Sequence, residues 1–112
     1  MRVKDIVEKL NLEVIVNSNL EKEIKGGYCG DLLSNVMARA NEGELWLTVQ
    51  SHQNVIAVAL LTEVAAVIVV ENFDIENKAI ERAKEKGVNI LRSDLDAYEL
   101  AGLLNQFDFK ED

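Results

Sequence analysis

Proline is absent from the 112 residues, cysteine and histidine each occur once, and aromatic side chains make up only 5% of the chain. A lone Cys29 excludes an intramolecular disulfide and most cysteine-based zinc sites, and its simplest setting is a reducing, cytoplasmic one. With His52 as the single histidine, no Ser/His/Asp order can be assembled with any spatial warrant, so no catalytic residue, metal site or cofactor is expected. The shortage of aromatics disfavours a stacking platform for single-stranded nucleic acid. Positive charge is also scarce. Twelve basic residues against twenty acidic ones give a net charge of −8, which repels phosphate backbones and anionic lipid. The nearest approach to a basic cluster, Lys78, Arg82, Lys84 and Lys86, is interleaved with Glu76, Glu81 and Glu85, the pattern of a solvated helix face. No nucleic-acid or membrane partner is expected on this basis. The first sixteen residues carry Asp5, Glu8 and Lys9 where a secretion signal would be apolar.

Nor is there an unbroken apolar run long enough to span a bilayer. The stretch from Ser51 to Asn72 comes nearest, but Thr62 and Glu63 interrupt it and basic flanks are missing. Val55, Ile56, Ala59, Leu60 and Glu63 follow helical spacing, whereas Ala65 to Val70 is a short β-branched run, so periodicity and residue type change together near Val64. This predicts a helix feeding a fully buried strand at the centre of the fold.

On the N-terminal side, Val3, Ile6, Val7 and Leu10 predict a short helix ending near Asn11, followed by a strand at Leu12 to Val16. Leu20 to Ile24 reads equally as a turn or an edge strand. Gly26, Gly27 and Gly30 around Tyr28 and Cys29 suggest a turn, with Asp31 as the cap of a helix through Leu32, Leu33, Val36, Met37 and Ala40 that ends at Gly43. Leu45 to Val49 predicts a strand with Trp46 in the core, and Ser51 a cap for the central helix. Beyond the central strand, Asp74 is placed to cap a helix from Ile75 to Lys86 that stops at Gly87. Val88 to Leu91 predicts the last strand. Ser93, three residues before Asp96, resembles a capping arrangement for a last helix through Leu95, Tyr98, Leu100, Ala101, Leu103 and Leu104, and the charged tail from Gln106 to Asp112 should fray.

Strands alternating with helices of ten to thirteen residues imply crossover units, hence a single domain over residues 1–112. The fold class is a three-layer α/β/α arrangement with a mostly parallel sheet of four to five strands. Ligands in such folds sit beyond the carboxyl ends of the strands, beside helix N-termini. Three segments qualify: Gly26 to Asp31, Gln50 to Asn54, and Glu71 to Asp74. Their candidate ligand residues are Gly27, Gly30, Ser51, His52, Asn54, Glu71 and Asn72. Each also has a plainer explanation: glycines for a turn, His52 as a surface residue, Glu71 and Asp74 as caps. GGYCGD lacks the Lys-Ser/Thr ending of a P-loop and the spacing of a dinucleotide site. Cys29 would be redox-sensitive if the following helix lowered its pKa, and half-buried and inert otherwise. Capping accounts for Asp94 and Asp96 without a metal.

The segments GGYCGDLLSNVMARA, NVIAVALLTEVAAVIVVEN and AIERAKEKGVNILRSDLDAYELAGLL together resemble a DRTGG domain over about Gly26 to Leu104. That module is found beside CBS domains in some pyrophosphatases and in some phosphotransacetylases, and is related in fold to the N-terminal domain of HPr kinase/phosphorylase. Where typical members carry Gly-Asp-Arg, this chain has Ser51, His52 and Gln53; where they carry Thr-Gly-Gly, it has Val70, Glu71 and Asn72. The third element of the pattern survives as Asp94, Leu95 and Asp96. The resemblance implies a non-catalytic regulatory or scaffolding module, a homodimer acting on a partner protein in anaerobic redox or carbon metabolism. Its alternative is a sensor of an adenine nucleotide or another small anion.

Overall fold

The computed structural model describes residues 1–109. Its elements, in chain order, are α1 (Val3–Lys9), β1 (Glu13–Val16), β2 (Gly26–Cys29), α2 (Leu33–Arg39), β3 (Glu44–Thr48), α3 (Asn54–Thr62), β4 (Ala66–Val69), α4 (Asn77–Lys86), β5 (Ile90–Arg92) and α5 (Ala97–Leu104). They form the α/β fold expected, around a five-stranded sheet of order β1-β5-β4-β3-β2. Strands β2 to β5 run parallel, and β1 closes one edge antiparallel to β5.

The central stretch sits where its residues require. All four residues of β4 are buried, because β3 and β5 flank it and helices cover both of its faces. On one face Trp46, Val67, Val69 and Ile90 pack against Val36 of α2, Val55, Ile56 and Ala59 of α3, and Ala79 and Ala83 of α4. On the other, Leu45, Leu47, Ile68 and Leu91 meet Val3 and Ile6 of α1 and Leu100 and Leu104 of α5. Fully burying one such side chain contributes about 1.5–3 kcal/mol. Trp46 is core, as expected, with no exposed surface, and its indole N–H donates to the Gly30 carbonyl at 2.8 Å.

Several local expectations are corrected. The glycine segment is not a turn: Gly26 to Cys29 form edge strand β2, in register with Glu44 to Leu47. Leu20 to Ile24 contains no strand and makes one isolated bridge, Glu23 with Arg2. Helices α2, α3 and α5, at seven to nine residues, are shorter than the ten to thirteen predicted. Helix α2 ends at Arg39, so Gly43, at φ +81°, serves the turn into β3. Gly87, at φ +79°, does stop α4. Asp31, Ser51 and Asp74 cap nothing; the N-cap positions are Leu32, Gln53 and Glu76, none with a side-chain bond. Asp96 does cap the last helix, its carboxylate accepting from Glu99 N–H at 2.8 Å, so the capping pair is Asp96 with Glu99 and not Ser93 with Asp96. Ser93 instead accepts from Leu95 N–H at 3.1 Å. The tail does not simply fray, because Phe107 and Phe109 fold back on the core edge to face, centroids 6.2 Å apart. Residues 110–112 of that tail lie outside the described residues.

Candidate functional site

Parallel order brings the carboxyl ends of β2, β3, β4 and β5 to one side of the sheet. The loops that leave them carry five of the seven expected ligand residues, Gly30 after β2, Ser51 and His52 between β3 and α3, and Glu71 and Asn72 after β4, and Asn54 opens α3 beside them. Gly27 lies inside β2 instead and is not brought to the loop tips.

These tips are tied to one another. Asp31 Oδ1 accepts from Thr48 Oγ1 at 2.8 Å and from Val49 N–H at 2.9 Å, and the Asp31 carbonyl accepts from Gln50 Nε2 at 2.9 Å. Asn54 N–H donates to His52 Nδ1 at 3.1 Å, so the imidazole occupies the first turn of α3 where an anion would sit. His52 Nε2 stands 4.0 Å from Glu76 Oε1, and the Ser51 carbonyl accepts from Glu76 N–H at 3.2 Å. Glu71 and Asn72 hold left-handed backbone, φ +59° and +55°, with N–H groups bonded to the carbonyls of Leu95 and Ser93. They therefore keep a glycine-like backbone where the family resemblance has Gly-Gly. The cavity behind Ser51 and His52 measures about 10 Å³, enough for no more than one water.

Cys29 is exposed, yet partial burial of its thiol, reinforced by the nearby Asp31 carboxylate, raises its pKa above that of a free cysteine. Both effects penalise the thiolate, which favours the half-buried, inert reading of Cys29 over the redox-sensitive one. Among the described residues no group of three or more His, Cys, Asp or Glu could hold a metal ion, and no helix is long and apolar enough to cross a membrane.

The large concavity lies elsewhere. A groove of about 940 Å³ runs between β2 and α5, floored by Leu45 and Leu47 and walled by Gly26 to Cys29, Tyr98, Leu103 and Phe107. Tyr98 is 90% exposed and Leu103 38%. Sequence reasoning placed both on the last helix but missed the groove, since α5 buries Leu100 and Leu104 and turns the other pair outward. Their positions off the buried stripe were the available signal.

The family model for the DRTGG domain matches residues 5–107. A search of curated proteins finds no match. Among solved structures, the chain is similar to the CBS and DRTGG domains of the regulatory region of Clostridium perfringens pyrophosphatase, complexed with its activator, diadenosine tetraphosphate. The TM-score is 0.73 at 16% identity, covering 93% of this chain and 46% of that one, a likeness of fold.

Proposed function

The chain belongs to the DRTGG domain family, and we propose that residues 1–112 work as one non-catalytic regulatory or scaffolding module, a homodimer that acts on a partner protein. The observation that carries this reading is the contrast between the carboxyl end of β2 and its open edge. The loop tips beyond the carboxyl end spend their polar groups on one another, whereas the edge borders a mainly apolar groove of about 940 Å³. Apolar surface beside an unpaired strand suits a protein neighbour better than a small anion. That the partner belongs to anaerobic redox or carbon metabolism rests on the family resemblance.

A second reading is a sensor of an adenine nucleotide or another anion at the loop tips. It draws support from the left-handed backbone kept at Glu71 and Asn72, and from a structural neighbour bound to a nucleotide activator.

Two measurements separate them. Sedimentation equilibrium at micromolar concentration gives twice the 12.5 kDa chain mass on the first reading, and a monomer there removes it. Melting with millimolar adenine nucleotide stays unchanged on the first reading and rises on the second.

A further inference from the structure

Gly26 and Gly27 occupy strand positions without an internal reason to be glycine. Neither has positive φ, and a Cβ at Gly27 would meet only the Leu45 carbonyl, at 3.6 Å, while one at Gly26 would meet Glu44 at 3.5 Å, both ordinary contacts. Glycine inside a strand weakens it, and its usual compensation is the close approach of another backbone. Nothing in the described chain makes that approach, because β2 is the edge of the sheet. The edge is short, four residues, but GGYC carries no charge, no proline and no bulge that would keep another strand off it.

We infer that β2 pairs antiparallel with β2 of a second copy, across a two-fold axis at Tyr28, to make one continuous sheet. The inference rests on the dimeric reading above and locates its interface. Gly30 N–H turns inward to the Leu47 carbonyl at 3.1 Å, so strand alternation turns the N–H and C=O of Cys29 and Gly27 outward. Reciprocal bonding requires outward residues to face outward residues, which sets Gly27 opposite the partner's Cys29 and Tyr28 opposite its own copy. Gly27 then leaves room for the partner's Cys29 side chain. A nucleotide in the adjoining groove would instead meet Glu99 and Asp108, with Lys25 as the one cation in its lining among the described residues.

The test compares sedimentation of the wild-type chain with Gly27→Lys and, as a control on a different face, Leu61→Glu, where Leu61 is 72% exposed on α3. The monomer has space for the new lysine, but the pairing would bury it, so Gly27→Lys weakens self-association about tenfold or more while its circular dichroism stays native. Leu61→Glu leaves self-association unchanged. In the wild-type protein, alkylation of Cys29 slows as concentration rises through the dimerisation range. Dimers insensitive to Gly27→Lys, with Cys29 equally reactive at all concentrations, overturn this interface but leave a dimer. A wild-type monomer overturns the dimeric reading itself.

Discussion

Asp31 Oδ1 lies 2.8 Å from Thr48 Oγ1, so the residue placed in sequence to cap α2 instead locks the exit of strand β3. Thr48 is buried, and the same oxygen receives Val49 N–H. Asp31→Ala should cost about 2 kcal/mol, because it strands a buried hydroxyl and a backbone donor. Urea unfolding of Asp31→Ala, Thr48→Val and the double variant should show a coupling of at least about 0.5 kcal/mol. A simple cap would show no coupling.

Asn89 provides a second long-range tie. Its side chain is buried, accepts from Ser18 and Asn19 N–H and donates to the carbonyls of Asn19 and Ala65. Asn89→Ala should lower stability by about 3 kcal/mol, since several buried backbone groups lose their partners together. Denaturant titration measures it, and a loss under about 1 kcal/mol would mean that the 17–19 turn holds itself.

Glu63 and Glu71 stand at φ +56° and +59°, a conformation that costs an L-residue about 1–2 kcal/mol. Glu63→Gly and Glu71→Gly should each raise stability by about 1 kcal/mol, less the added flexibility of the unfolded chain, whereas alanine at either site should give no gain. Thermal melts of the four variants decide this.

The Cys29 thiol should titrate above a free cysteine, because burial and, after it, the Asp31 carboxylate oppose the thiolate. The sign is upward, so iodoacetamide reacts with a rate that is still climbing at the pH where a free thiol has levelled off. Asp31→Asn should bring the midpoint down. A wild-type midpoint at or below that of a free cysteine measured under the same conditions would contradict the assignment.

What could be read from the residues divides by the range of the interactions. The α3 to β4 switch was legible because local periodicity and β-branching carry it: β4 is buried throughout and α3 along one face, although Leu60, expected on that face, is exposed. Gly87 was legible for the same reason: a left-handed stop is a local event. Strand β2 was not, since GGYC has no strand propensity of its own and owes its conformation to pairing with Leu45 to Leu47. Asp31 failed as a cap because Thr48, seventeen residues away, offered a better partner. Ser51 and Asp74 stood near enough to their helices to suggest caps, but α3 and α4 begin at Asn54 and Asn77, beyond their reach. Of the expected ligand residues, the loop-tip group converges because a parallel sheet gathers its carboxyl ends, whereas Gly27 belongs to a strand whose existence the sequence concealed.

Backbone hydrogen exchange, followed as protein concentration rises and again with millimolar ATP, tests most directly which surface does the work. The account predicts that amides of Gly26 to Cys29 gain protection with concentration, while residues 50–54 and 71–74 exchange alike with and without nucleotide. Protection of those loops by ATP, with β2 indifferent to concentration, would contradict it.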